Sequence, residues 1–326
     1  MGQDELRTFL AVARLRSFSA AADLLHKSTS AISYRIKTLE DSVDAPLFQR
    51  TTRAVTLTPS GEYLYEKASQ IFGWLQTLPD ELKQVKEGIE PHFNLVVNNL
   101  LYDADSTAQL LAHLAERFPY TAINVRRAVY MGVWDQMLHH GGHLALGVPG
   151  FDSIHDDFMT TPVGFVNWVF VVAPTHPLAL AQKPLTNDEL RAFPAINVED
   201  SSVNITKRTA WRLSRQRELL VPDMQTKIAC HVAGLGVGFL PAPVASALQR
   251  QRLLVERAVE AGRQPSPLAL AWRRTGAGRI TDSLRELCLA NDRIVQPCPH
   301  RSIRLIAARP LWHSRGRPFA CKNGSF

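Results

Sequence analysis

Cysteine is scarce in this chain, and none of it has the spacing of a redox or zinc motif. Only four of the 326 residues are cysteine, namely Cys230, Cys288, Cys298 and Cys321. None forms a CxxC pair, so we expect free thiols in a reducing compartment rather than a disulfide framework.

Export signals and membrane-length apolar runs are also missing. The most apolar stretch, residues 165–173, is far shorter than the roughly 20 residues that a membrane helix needs. Asp4 and Glu5 stand near the start, where a secretory signal would carry basic residues. We therefore predict a soluble cytoplasmic protein with no membrane contact.

Motifs for catalysis, metals and cofactors are absent as well. The sequence has no Gly-x-Ser-x-Gly elbow and no Walker motif, and the glycines of 234–238 precede a strand instead of following one. His139, His140 and His143 lie at a predicted helix end without Cys or carboxylate at ligand spacing. We expect no metal, no cofactor and no enzyme activity, although an enzyme built on an α/β domain stays as a weaker alternative.

The net charge of +7 does not by itself indicate a nucleic-acid partner. Residues 296–326 hold six Arg or Lys and no acid, and subtracting these six charges leaves +1 for residues 1–295. This segment also has four prolines and no periodicity. We predict a disordered basic tail at 296–326, with a non-specific DNA-binding arm as the alternative.

Three short helix patterns follow one another in the first sixty residues. The first covers about 4–15, the second opens at Ser19, and Ser28 or Thr29 can cap the third. Two short helices joined by a tight turn are typical of a helix-turn-helix. The segment 46–57 then predicts a β-hairpin with a basic tip, which is a wing.

These segments resemble the LysR family of bacterial transcriptional regulators in order and spacing. The resemblance lies in FSAAA at 18–22, SAISYRIKTLE at 30–40, PLFQR at 46–50 and LTPSG at 57–61. It implies a winged helix-turn-helix at 1–58 whose third helix enters the major groove of DNA. The implied DNA contacts are Ser28, Thr29, Ser30, Ser33, Tyr34, Arg35 and Lys37 on the helix and Arg50, Thr51 and Arg53 on the wing.

Two of these positions depart from the family pattern. The family often has Gln at the position of Thr29 and Pro at that of Ser30, so the DNA sequence preference of this chain could differ. The resemblance also implies several partners, which are double-stranded operator DNA, a small polar effector, RNA polymerase, and further copies of the chain in a dimer or tetramer.

A long helix is predicted over 59–90. Thr58 can cap it and Pro59 suits its first position, whereas Pro79 should kink it. Its apolar residues alternate in steps of four and three, which favours a helix pair over packing on its own domain. The predicted dimer contacts are Leu64, Ala68, Ile71, Leu75, Leu78 and Leu82.

Residues 91–295 show short alternating strand and helix patterns, typical of doubly wound, mostly parallel sheets. The fold class is therefore a winged helix-turn-helix plus an α/β domain. The family resemblance implies an effector domain of two such subdomains around a cleft, like periplasmic solute-binding proteins. A solute-binding protein without DNA function remains an alternative.

Ligands of open parallel sheets bind beyond the carboxyl ends of the strands. Amides, hydroxyls and aromatic rings near those ends suit a small polar planar effector. The predicted effector-binding residues are Asn98, Asn99, Tyr102, Tyr130, Trp134, Asp200, Ser201, Ser202 and Thr206.

The second domain resembles one branch of the family more closely. NNLLY at 98–102, YMGVWD at 130–135 and VPDM at 221–224 are similar to activators of allantoin-utilisation genes. This branch implies an activator of ureide catabolism genes. A sister branch that responds to purines or nucleosides shares the GVWD core and is the alternative.

Overall fold

The computed structural model describes residues 1–50, 55–208, 210–290 and 304–305. The chain divides into two compact units, Met1–Lys86 and a second that begins at Glu87. The long helix thus belongs to the first unit, whereas the sequence predicted a separate segment at 59–90. Among the described residues, no helix is both long and apolar enough to span a bilayer.

The first unit is built from short helices and a hairpin. Its elements are α1 (Gln3–Leu15), α2 (Phe18–Leu24), α3 (Thr29–Val43), β1 (Phe48–Arg50), β2 (Val55–Leu57) and α4 (Pro59–Lys86). β1 and β2 pair antiparallel, with Phe48 opposite Leu57. The buried faces of α1, α2 and α3 share one core with Leu47 and Phe48.

Serine caps fix where the helix-turn-helix elements begin. The Ser17 hydroxyl accepts the Ala20 N–H at 3.2 Å, so α2 begins at Phe18 rather than after Ser19. The Ser28 hydroxyl accepts the Ala31 N–H at 3.2 Å and caps α3.

Hydrogen bonds from a half-buried carboxylate hold the hairpin against the end of α3. Glu40 Oε1 accepts the N–H of Leu47 at 2.7 Å and that of Phe48 at 3.2 Å. The Phe48 ring then packs 5.3 Å from the ring of Phe9 on α1. The wing is therefore fixed to the helices by both hydrogen bonds and core packing.

The start of α4 follows the predicted pattern. The Thr58 hydroxyl accepts the Gly61 N–H at 3.0 Å, and Pro59 occupies the first helical position, where its missing N–H costs nothing. The helix continues through Pro79 to Lys86.

The second unit contains two lobes, and the chain crosses between them after residue 166 and again before residue 266. Its elements are β3 (His92–Asn98), α5 (Ala104–Arg117), β4 (Ala122–Ala128), α6 (Gly132–His139), β5 (Leu144–Pro149), β6 (Phe158–Val166), β7 (Trp168–Val172), a 3-10 turn (Pro177–Leu180), α7 (Asn187–Arg191), β8 (Ala195–Val198), β9 (Glu218–Val221), α8 (Met224–Val232), β10 (Gly238–Pro241), α9 (Ala242–Arg250), β11 (Val255–Glu256), β12 (Ser266–Arg273), α10 (Arg279–Leu289) and β13 (Arg304–Leu305).

The first lobe is one sheet with the strand order β13-β6-β12-β5-β3-β4. The second lobe holds the sheet β10-β7-β11 and the pair β8-β9. β3, β4 and β5 run parallel, whereas β12 runs antiparallel to β5 and β6 because it returns from the second lobe. The predicted fold class is confirmed, but this sheet is mixed and not mostly parallel.

Side chains of β3 alternate between the two faces of the first sheet. Phe93 and Leu95 pack in the core that includes residues of α5 and α10, and Val96 packs in the core with Trp134 of α6. Helices therefore cover both faces, which is the doubly wound arrangement.

Little of the predicted tail is described. Within 296–326, only Arg304–Leu305 has a described backbone, and this short strand pairs with β6. The composition predicted disorder there. The other residues of 296–326 lie outside the described residues.

One buried carboxylate connects the segment before β3 to the start of α10. Glu90 is 7% exposed, and its oxygens accept the N–H groups of Gly278, Ile280 and Thr281 and the Thr281 hydroxyl. Those N–H groups would otherwise have no partner at the start of α10.

We expect Glu90→Ala to lower the free energy of unfolding by about 1–3 kcal/mol, because it leaves buried donors without an acceptor. Urea unfolding of the full chain measures this difference. Glu87→Ala is the matched control, since the contact of Glu87 with Arg279 at 3.8 Å is an exposed ion pair. Equal stability of the two variants would contradict the capping role.

Candidate DNA interface and effector site

The N-terminal half of α3 presents a polar exposed face. Ser28, Thr29, Ser30, Tyr34 and Lys37 are all exposed, and the Tyr34 side chain is 73% accessible. Small hydroxyls at a helix start allow close approach to a phosphate backbone, and Tyr and Lys can reach phosphates or base edges.

The other predicted DNA contacts are placed differently. Ser33 is half-buried, and half-buried Arg35 forms an ion pair with Asp4 of α1 at 3.3 Å. Arg50 ends β1 opposite Val55, but its side chain lies outside the described residues, as do Thr51 and Arg53.

The predicted dimer contacts of α4 separate into two groups. Leu64 is partly buried and Ala68 fully buried against the core of the first unit, so the structure differs from the prediction that Ala68 faces a partner helix. Four later apolar residues are exposed, namely Ile71 at 45%, Leu75 and Leu78 at 44% each, and Leu82 at 60%.

The ends of β3 and β4 lie side by side, with Asn98 opposite Ala128. Buried Asn98 donates to the carbonyl of Gly147 at 2.7 Å and accepts the Leu100 N–H at 2.9 Å, so its side chain holds the turn. Asn99 is also buried, and Tyr102 packs under the guanidinium of Arg127 at 5.1 Å.

Trp134 does not face a cleft, in contrast to the prediction. Its side chain is fully buried in the core of the first lobe, 5.9 Å from the ring of Phe158. The reason is helical geometry, because Trp134 lies on the face of α6 that covers the sheet.

The loop after β8 docks onto the start of α6 and joins the two lobes. Asp200 accepts the N–H groups of Met131 at 3.2 Å and Gly132 at 3.1 Å, and the Ser201 hydroxyl accepts the Val129 N–H at 2.9 Å. A carboxylate suits the positive end of a helix. The carboxylate also accepts the N–H groups of Ser202 and Arg208.

Three further predicted residues lie around this junction. Tyr130 adopts a left-handed backbone with φ +47°, which is uncommon for an aromatic residue. The Ser202 hydroxyl is buried without a hydrogen-bond partner among the described residues. Thr206 is exposed on the same loop. The structure thus brings together Tyr130, Asp200, Ser201 and Ser202.

Sequence reasoning missed a group of buried basic side chains in the second lobe. Lys227 and His231 lie one turn apart on α8 with exposures of 2% and 0%. Arg263, half-buried, places its guanidinium carbon 3.7 Å from the Trp168 ring centroid. The sequence does carry a signal for this group. Lys227 and His231 lie four residues apart on α8, a helix that contacts the core.

Burial shifts the titration of these groups. Burial, with a smaller effect of nearby Arg263, lowers the pKa of Lys227 to about 7. Burial, with smaller effects of Lys227 and His176, lowers the pKa of His231 to about 3. In the part of the chain that the structure describes, no group of three or more His, Cys, Asp or Glu residues could hold a metal ion.

Two family models match the chain. Residues 3–62 match the bacterial regulatory helix-turn-helix protein, lysR family, and residues 91–293 match the LysR substrate binding domain. The chain belongs to the LysR family of bacterial transcriptional regulators. This confirms the interpretation of α3 and the wing as the DNA-binding part of a regulator.

Individual LysR-type relatives agree with this assignment. The chain is 48% identical over 284 residues to the HTH-type transcriptional activator AllS of Salmonella typhimurium, covering 87% of this chain and 92% of that protein. It is 31% identical over 264 residues to the HTH-type transcriptional regulator PunR of Escherichia coli, covering 81% and 85%.

A solved structure shows the same fold. A cysteine mutant of OxyR from Corynebacterium glutamicum superposes with a TM-score of 0.55 at 19% identity, covering 90% of this chain and 92% of that one. The likeness concerns the fold alone.

Gly132 is a point of close approach between the lobes. A Cβ on Gly132 would collide with the Ser201 hydroxyl and lie 2.9 Å from the Ser201 carbonyl carbon. We expect Gly132→Ala to displace the loop after β8 and lower the melting temperature of this LysR-type regulator. Calorimetry checks this, and Gly262→Ala is the control because nothing lies within 4 Å of its added Cβ. Equal melting temperatures would contradict the tight junction.

Lys227 should make stability depend on pH in a definite direction. Its pKa falls from 10.5 to about 7 on folding, so the unfolded chain binds more protons between these pH values. The free energy of unfolding therefore gains a rising contribution as pH increases from about 7 toward 10.5. Besides burial, the charge of Arg263 lowers the pKa of Lys227, and the charges of Lys227 and His176 lower the pKa of His231.

Comparing denaturant unfolding of the wild type and Lys227→Met across this pH range isolates the contribution. The wild type should gain stability relative to the variant as pH rises. A constant difference between them would show that Lys227 does not change protonation on folding.

Proposed function

We propose that this LysR-type regulator activates genes of ureide catabolism, with allantoin utilisation as the pathway. The observation that carries the proposal is its 48% identity, over 87% of the chain, to the activator AllS. The resemblance of 98–102, 130–135 and 221–224 to the allantoin branch supports the same assignment. An activator works at the promoter, so RNA polymerase is the expected partner and the cytoplasm the expected location.

The DNA contacts follow from the exposed face of α3. Ser28, Thr29, Ser30, Tyr34 and Lys37 offer hydroxyls and one ammonium to the major groove, and Ser33 lies at the edge of this face. Arg35 serves partly to hold α1, because its guanidinium pairs with Asp4. Arg50, Thr51 and Arg53 remain the proposed wing contacts.

The dimer contact follows from the exposed apolar side chains of α4. Ile71, Leu75, Leu78 and Leu82 continue the heptad spacing beyond the part of the helix that packs on its own unit. A second copy of this helix would cover them in the manner of a coiled coil. Trp74 is 77% exposed beside them and would add to the contact.

A purine-responsive regulator is the second candidate. The 31% identity to PunR supports it, together with the shared GVWD sequence at 132–135. In either case the effector would contact the junction at Tyr130, Asp200, Ser201 and Ser202, where the lobes meet.

A gel-shift experiment with DNA upstream of the allantoin-utilisation genes tests the proposal. The protein should retard this DNA and not an unrelated fragment of equal length. Upstream DNA of purine genes should compete poorly. Selective binding of purine-gene DNA would favour the second candidate, and no selective binding of either DNA would contradict both.

Ser33→Ala should change the preference among operator variants more than the overall affinity, because Ser33 lies where a base edge would be read. Fluorescence anisotropy with a set of single-base operator variants measures this. Ser42→Ala is the matched control, since Ser42 lies at the far end of α3. Uniform weakening across all variants would argue against base reading by Ser33.

Leu82→Glu should weaken self-association at least tenfold, because it puts a charge into the proposed helix pair. Sedimentation equilibrium measures the dissociation constant. Leu24→Glu is the control, as Leu24 is 59% exposed on α2. The same dissociation constant for both variants would rule out this face of α4 as the dimer contact.

A further inference from the structure

A short segment of the second lobe concentrates positive charge on its surface. Residues 205–217 include five Arg or Lys and no Asp or Glu, whereas residues 87–295 as a whole contain 20 basic and 20 acidic residues. The five basic residues are all exposed, and they are Lys207, Arg208, Arg212, Arg215 and Arg217. Exposed charge of one sign in so short a segment creates a local positive potential.

Two of these arginines have no acidic partner within the chain. Arg212 forms an ion pair with Glu218 at 3.6 Å. Among the described residues, neither Arg215 nor Arg217 forms an ion pair or a side-chain hydrogen bond. The donors of these two guanidinium groups are therefore free for a partner outside the chain.

The backbone that presents these arginines is anchored by the side chain of Gln216. Gln216 is 3% exposed, and its amide donates to the carbonyls of Leu190 at 2.9 Å and Phe193 at 3.0 Å. Its Oε1 accepts the Leu213 N–H at 3.0 Å. Arg215 has a left-handed backbone with φ +62°, which suits a tight turn. This basic turn, residues 212–217, is thus ordered before any partner binds, which lowers the entropic cost of binding.

The charge balance of the first unit favours DNA as that partner. Residues 1–86 contain eleven Arg or Lys and ten Asp or Glu, so their net charge is only +1. A large share of the affinity of proteins for DNA comes from cations that neutralise phosphates. A DNA-binding unit with so small an excess of cations leaves phosphate contacts to be supplied elsewhere in the chain.

Arginine suits this role better than other side chains. Its planar guanidinium can bind a phosphate through two parallel hydrogen bonds, and its charge persists at every physiological pH. DNA held by the first unit is also present at high effective concentration for the rest of the same chain, so individually weak contacts add to the affinity.

We propose that Arg215 and Arg217, with Arg212 beside them, bind phosphates of the DNA backbone outside the bases that α3 reads. The second unit then adds affinity without adding sequence preference, because phosphate contacts carry no base information. This proposal depends on membership of the LysR family and not on the allantoin pathway.

The salt dependence of DNA binding by the full chain tests the proposal. The probes are a long duplex from upstream of the allantoin-utilisation genes and a mixed-sequence duplex of equal length. Arg215→Gln/Arg217→Gln should weaken binding to both duplexes by the same factor, at least tenfold at low salt. Between about 50 and 200 mM salt, the slope of log affinity against log salt should become shallower by about 1–2.

Arg250→Gln/Arg252→Gln is the matched control for this double variant. It removes the same charge from exposed arginines of the same lobe, and Arg252 also has a left-handed backbone, with φ +58°. The control should bind both duplexes as the wild type does. Equal losses in the two double variants, or no loss in Arg215→Gln/Arg217→Gln, would overturn the proposal.

Two further measurements keep the test decisive. If the double variant does not fold, Arg217→Gln alone should give about half of the change in slope, and an unchanged slope would overturn the proposal. An acidic protein surface is the other class of partner. Full DNA affinity of the double variant together with lost recruitment of RNA polymerase would overturn DNA as the partner. Failure of the proposed function would instead appear as equal binding of the two duplexes by the wild type.

Discussion

The burial of the Lys227 amino group constrains the second unit, because a charged ammonium is costly to remove from water. Lys227 lies on a face of α8 that the fold buries, and His231 follows one turn later with both ring nitrogens lacking a hydrogen-bond partner among the described residues. Burial lowers the pKa of both groups and so favours their neutral forms. The stability of this unit therefore depends on pH.

A ligand at the junction between the lobes would contact both parts of the second unit. Asp200 and Ser201 fix the loop after β8 to the start of α6. A ligand that contacts both lobes can favour one arrangement only through a difference in its affinity for the two. Because binding free energies are reciprocal, operator DNA would then alter effector affinity by the same factor.

Much of the molecule was predictable from local sequence rules. The helix-turn-helix, the Thr58 cap and the α/β alternation depend on neighbouring residues, and the structure confirms them. The cap of α2 at Ser17 was missed because Ser17 and Ser19 lie two residues apart, and the sequence pattern alone allows either serine to cap the helix. The antiparallel β12 was missed because strand direction depends on a crossing between lobes that no local pattern records.

The candidate site was harder to predict for the same reason. Trp134 shares the GVWD motif with the loop contacts, but helical geometry turns it into the core. Ala68 fits the heptad pattern, yet it packs on its own unit. Lys227 is buried, although the sequence pattern alone does not show that this polar residue lies on the core face of α8.

The most direct measurement is the affinity of the full chain for labelled DNA from upstream of the allantoin-utilisation genes, with upstream DNA of purine genes as the comparison. We expect a lower dissociation constant for the allantoin-gene DNA. Equal or tighter binding of the purine-gene DNA would contradict the proposed function.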